Sequence, residues 1–373
     1  MKNFIFLIGL TFFASCSSIE NLQSKINAPK RSIQHFKSLW SKNFDPKYLS
    51  GNVPIHLNGF YVKDNVVYLG GNGNGFFAIS EKNGRVLWNS REGEYYNSSP
   101  LVYQDSVIYG TESGRIFSRN ILNGKLNYEV EVGASVDGDP IEYGGRIFVQ
   151  LRNHQIFCLD GLTGKILWSY KKSLTDKTSV QRVGRGIIFG NNVFFGFADG
   201  DVLAFRIETG DVIWEKRVSQ GTDKYSDLDW PLLNKNGSLV AGDGSGFIHF
   251  MNFKNGEITH RLDASLSSNL LAIGEELYFG DTWGNLNVID SKYQIQKLSK
   301  ISKRPISRMG MWKDNIVASD IDGTLYYINR DTFKLVEQKR LGIEVATLFS
   351  TPVQGHNGGL VVFTNRGRLY YFQ

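Results

Sequence analysis

Asp227 and Asp229 stand two residues apart in a polar run that closes on Trp230-Pro231. In an extended segment, residues i and i+2 project to the same side. The pair therefore offers two carboxylates to one binder. That binder is either a Lys or Arg of a partner, with the strongest gain for a forked guanidinium, or the backbone N–H groups of a neighbouring loop. A second run, residues 171–182, is polar apart from Leu174 and Val180 and also carries Lys177 and Arg182. It is either a solvated connection or an interface loop, in which a lone apolar side chain such as Leu174 serves as the anchor. Six further acids, Asp199, Asp201, Asp243, Asp281, Asp320 and Asp322, sit close to glycines. None follows the spaced calcium-loop pattern, and Asp with Gly is what tight hairpin turns demand. The histidines, at 35, 56, 154, 249, 260 and 356, make no pair at metal-ligand spacing. No Ser, Cys or carboxylate stands beside a base as an activated nucleophile. These residues point to binding, with no catalytic residue, cofactor or metal.

The elements that must position them announce themselves as a repeat. The run Phe157-Cys158-Leu159-Asp160-Gly161-Leu162-Thr163-Gly164-Lys165-Ile166-Leu167-Trp168 places an apolar strand on either side of a Thr-Gly turn, with a large ring four residues after the glycine. The same grammar returns at Gly84 and Trp88, Gly124 and Tyr128, Gly210 and Trp214, and Gly256 and His260. A second set of turn positions, Gly75, Gly114, His154, Gly200, Gly246, Gly284, Gly323 and Gly367, recurs roughly every forty residues and counts eight units. Four short antiparallel strands per unit is the arithmetic of a propeller blade. Composition agrees: aromatic content is 13%, Gly is abundant at 40 residues and Pro scarce at 8, which suits short strands joined by glycine turns. The fold expected is all-β, an eight-bladed propeller of four-stranded antiparallel blades. The last unit lacks a fourth strand, and residues 39–44, with Trp40 at the ring position, are expected to supply it and close the circle.

Ahead of the repeats, Lys2 and the apolar stretch 4–13 read as a secretory signal too short to span a bilayer. Phe13-Ala14-Ser15-Cys16 resembles the bacterial lipobox. Residues 1–15 are then the lipoprotein signal peptide, Cys16 the lipidated residue, 16–35 a flexible tether and 36–373 the propeller. Ser17 after the cysteine resembles an outer-membrane address, on the periplasmic face. Acylation of Cys16 leaves Cys158 as a lone thiol, expected in the core. The net charge of +6 is scattered. Its local concentrations, Lys171-Lys172, Arg182 with Arg185, and Lys300 to Arg304, read as solvated edges, with no nucleic-acid motif beside them.

The motif Ala/Cys-x-Asp-x-x-Thr-Gly-Lys-x-x-Trp, matched at residues 158–168 and followed closely at 78–88 and 204–214, is similar to the tryptophan-docking repeat of pyrroloquinoline quinone-type eight-bladed propellers. In that family each ring stacks between neighbouring blades. Here Leu298 and Glu337 fall where later rings belong, and Tyr293-Gln294 and Thr332-Phe333 replace the glycine turn. Of two branches, the quinoprotein dehydrogenases carry vicinal cysteines, which this chain lacks. The other branch comprises the lipoprotein subunits of the outer-membrane β-barrel assembly machine, and the Asp-Lys-x-Ser-Asp-x-Asp segment at 223–229 resembles theirs. That resemblance implies a non-enzymatic scaffold that docks on the periplasmic domains of BamA, the barrel subunit, joins other subunits of the complex and assists unfolded outer-membrane proteins. It also implies a lipid anchor in the membrane, no nucleic acid, and Asp227, Asp229, Leu174, Lys177 and Arg182 as partner contacts. The alternatives are a periplasmic quinone-dependent dehydrogenase and a polysaccharide-binding propeller that uses Tyr95, Tyr96, Trp283 or Trp312 as sugar platforms.

Overall fold

Short apolar-rich runs bounded by glycine and polar turn residues form the strands. The computed structural model describes residues 34–44, 59–71, 75–173, 184–218, 227–228, 230–341, 353–354 and 358–373. Within them lie eight four-stranded sheets. Seven follow the chain in order: blade 1 (60–89), blade 2 (101–131), blade 3 (141–171), blade 4 (187–217), blade 5 (233–263), blade 6 (271–300) and blade 7 (306–340). The eighth takes Val353–Gln354, Leu360–Phe363 and Arg368–Phe372, and its outer strand is Ser38–Asn43. Ser38 pairs with Phe372 and Asn43 with Arg368, and Phe44 N–H extends the ladder to the Gly367 carbonyl at 2.7 Å. The expected closure is therefore present.

Strand direction alternates within each blade. The turns between second and third strands and the blade-to-blade connections consequently share one face, called here the connection face. All eight turn positions read from the sequence have positive φ, including the non-glycine His154 at 63°.

The core is eight seams, each bridging two consecutive blades. One joins Phe148 and Trp168 of blade 3 to Phe195 and Phe205 of blade 4. The last joins Val361 and Tyr371 of blade 8 to Val67 and Leu69 of blade 1. Within the seams the repeat rings dock as their spacing predicts. The indole N–H groups of Trp40, Trp88, Trp168 and Trp214 donate to the carbonyls of Glu81, Ile121, Ile207 and Phe253 in the next blade, at 2.8, 2.8, 2.9 and 3.0 Å. Each ring also covers the turn glycine of that blade. At Gly210, φ is 76° and an added Cβ would lie 2.6 Å from the Trp168 ring.

The later blades pack by other means. Tyr293 takes the left-handed position (φ 61°) and stacks on His260, with centroids 3.6 Å apart at 13°. Leu298 is half-buried against the seam of blades 6 and 7. Glu337, in place of a ring, accepts the Phe36 N–H at 3.3 Å, and Lys339 Nζ donates to the Phe36 carbonyl at 2.6 Å. Phe36 itself is buried and stacks on Trp312 at 5.9 Å. The chain leading into the closing strand thus fills the gap that the missing ring leaves.

Candidate docking site

The two sequence runs singled out for binding fall, in chain order, between blades 3 and 4 and between blades 4 and 5. Leu174, Lys177, Arg182 and Asp229 lie outside the described residues, as does the acylation residue Cys16. The ends of the two connections are described, and they are fastened together. Gly184 N–H donates to the Leu228 carbonyl at 3.2 Å, and Leu232 N–H donates to the Arg185 carbonyl at 2.9 Å. Leu228 is 1% exposed in the seam of blades 4 and 5, and a Cβ added at Gly196 would meet its side chain at 2.8 Å. Gly244 N–H donates to the Asp227 main-chain carbonyl at 2.9 Å, which holds the same segment to the next turn. Asp227 itself is 2% exposed. Its carboxylate is therefore not presented at the surface of the isolated chain.

The other end of the first connection is rooted by charge. Lys172 Nζ is 2.8 Å from Asp199 Oδ2 and 3.0 Å from Glu215 Oε1, and it also contacts Asp201. Arg217 Nε donates to Asp201 Oδ1 at 3.0 Å. Burial pulls the Lys172 ammonium toward neutrality, but hydrogen bonds to Asp199, Asp201 and Glu215 outweigh it and hold the group above the usual lysine range. Burial would raise the Asp201 carboxyl, yet Lys172 and Arg217 hold it below the ordinary value. The sequence reading of Lys171-Lys172 as a solvated edge is thus corrected at Lys172, which is 8% exposed. The available signal was a lysine at the end of one blade's outer strand and two acids flanking the turn glycine of the next.

Three of the remaining acids take the turn role expected of them. Asp243, Asp281 and Asp320 each accept the N–H groups two and four residues ahead. One contact that spacing did not suggest is buried His249, whose Nε2 is 2.8 Å from Asp243 Oδ2. No cluster of three or more potential metal ligands occurs among the described residues. Cys158 is free and buried, and burial pushes its thiol up to about 12. Of the aromatics considered as sugar platforms, Tyr96 and Trp312 are 1% and 0% exposed because they fill inter-blade seams, whereas Tyr95 and Trp283 are open.

A family model described as outer membrane protein assembly factor BamB matches residues 37–136 and 123–297, well over half of the chain. The chain belongs to the BamB family. A BamB of Shewanella oneidensis is 24% identical over 88% of this chain and 77% of its own length. The crystal structure of BamB from Moraxella catarrhalis superposes with a TM-score of 0.75 at 16% identity, covering 91% of this chain and 99% of that one. A quinohemoprotein alcohol dehydrogenase from Comamonas testosteroni shares the fold, with a TM-score of 0.70 at 11% identity over 91% of this chain and 77% of that one. At such identity the likeness speaks of architecture alone. Membership in the BamB family rests on the sequence match, which spans the blades that bear the two fastened connections.

Proposed function

We propose that the chain is a non-enzymatic binding subunit of the outer-membrane β-barrel assembly machinery. It would be anchored by acylated Cys16 to the periplasmic side of the outer membrane, with residues 1–15 removed, 16–35 as tether and 36–373 as the docking body. Its partner surface is the connection face at blades 3 to 5, where it meets the periplasmic domains of BamA. The observation that supports this reading is the fastening of the described ends of the two connections, Gly184 to Leu228 and Arg185 to Leu232, at one seam. Loops fixed at their roots lose less entropy on binding than free ones. Asp229, Arg182, Lys177 and Leu174 are the proposed contacts, and Asp227 is the proposed seat. The complementary chemistry is a partner arginine or lysine at Asp229 and an apolar pocket for Leu174. The test is co-purification with BamA from membranes. Asp229→Ala is expected to weaken it with an unchanged melting temperature, and full retention would count against this surface.

A further inference from the structure

The basic strip Lys300 to Arg304 and the exposed Trp283 meet on the connection face of blade 6. Trp283 sits on the turn between second and third strands, whose backbone is tied from both sides. Its N–H donates to Asp281 Oδ1 at 2.9 Å, its carbonyl accepts Lys300 Nζ, and the N–H groups of Ile301 and Ser302 both donate to the Gly284 carbonyl at 3.0 Å. The link out of the blade passes so close that a Cβ on Gly284 would lie 2.3 Å from the Ser302 carbonyl oxygen and 2.6 Å from that of Arg304. The indole itself is 69% exposed, while the chain's other tryptophans are buried or half-buried. Ile321, on the corresponding turn of blade 7, is exposed, its N–H on the Pro305 carbonyl at 3.2 Å. Arg304 is braced by Asp322 at 2.8 Å with most of its side chain in solvent.

An open indole on a pinned turn adds nothing to the stability of the chain and leaves apolar surface in water. It is, however, a pre-organised anchor of the type in which binding energy concentrates, with an arginine beside it. Around it stand three exposed cations, Lys300, Lys303 and Arg304, against half-buried Asp322 and exposed Asp263, so the balance is basic and the complement is acidic. One ring and one isoleucine bury too little apolar area to seat the body on a bilayer, and a braced guanidinium matches a carboxylate in a fixed place.

We propose that this surface, separate from the connections between blades 3 and 5, binds an acidic polypeptide segment. An apolar side chain of that segment rests on Trp283 and Ile321, and its carboxylates meet Lys300, Lys303 and Arg304.

The probe is a short fluorescein-labelled peptide alternating glutamate and leucine, read by anisotropy against the mature full-length protein. A lysine-for-glutamate peptide and phosphatidylglycerol vesicles serve as comparison arms. The glutamate peptide is expected to bind saturably and to protect the tryptophan fluorescence from iodide quenching. Affinity should fall roughly tenfold or more in Trp283→Ala and in Lys300→Glu with Arg304→Glu. Both changes lie on the surface, so an unchanged melting temperature is expected and verifies folding. Equal binding of both peptides, undiminished binding by Trp283→Ala, or protection by vesicles alone would overturn the proposal. The Trp283 variant should keep co-purification with BamA, so the two surfaces fail or stand separately.

Discussion

At Gly210 two demands meet in one residue: a left-handed turn, and room for the Trp168 ring of the preceding blade. Gly210→Ala meets both penalties, backbone strain and a clash with a ring that cannot retreat from the seam. Urea unfolding should show a loss of about 2–4 kcal/mol. Lys172 is the other decisive residue. Its folded-state pKa is raised, so its contribution is complete below the unfolded lysine value and disappears only as pH climbs through the folded one. Asp201, depressed, contributes above the unfolded carboxylate value and loses that contribution as pH falls through its folded value. Lys172→Met strands buried carboxylates and should cost about 3 kcal/mol at pH 7. That deficit should shrink as pH falls through the folded value of Asp201, below the ordinary carboxylate range; melting curves at neutral and at strongly acid pH check it. Neither the cluster nor the burial of Asp227 was legible in the sequence. Lys172 meets Asp199 and Asp201 only because one blade stacks on the next, a proximity that residue spacing does not encode.

The elements were more legible, because the signals that define them are local. A glycine and a ring four residues apart mark both sides of one hairpin, so strands and turns of blades 1 to 5 follow from short windows. In blades 6 and 7 the grammar decays, and what replaces it is nonlocal: a histidine on a tyrosine, and a glutamate holding a backbone N–H from the far end of the chain. The most consequential element is Ser38–Asn43, which caps the eighth sheet and stacks Trp40 on Tyr371 at 5.7 Å. Deleting it exposes an edge of Arg368–Phe372 and removes one ring from the seam with blade 1. The expected result is a melting temperature lower by roughly 10 °C or more across the whole body, measured by circular dichroism. An unchanged transition would mean that the circle holds without this strand.

For the whole molecule, eight units could be counted from period alone, since each blade repeats the same turn positions. The docking surface could not, because binding runs are by nature where a repeat is interrupted, and an interruption reveals its place but not its partner. The proposed docking gains from the rigidity of the circle. Two connections rooted in one seam keep their spacing, and Asp229→Ala should lower co-purification with BamA several-fold without touching the melting curve. If the contact is ionic, the remaining association should also lose much of its salt sensitivity.

The pairing of Ser38 with Phe372 has a further consequence for how the molecule is made. Ser38–Asn43 precedes the other strands of the eight sheets and its partner Arg368–Phe372 follows them, so this pairing cannot form until the chain between them has been made. Contacts between residues so far apart in sequence slow folding, since the loop must close before the contact is rewarded. An aromatic-bearing strand with an open edge is a target for other strands during that wait. The same strand that secures the finished circle is therefore the point at which a half-made chain is most exposed to mispairing and most dependent on whatever shields it until its partner arrives.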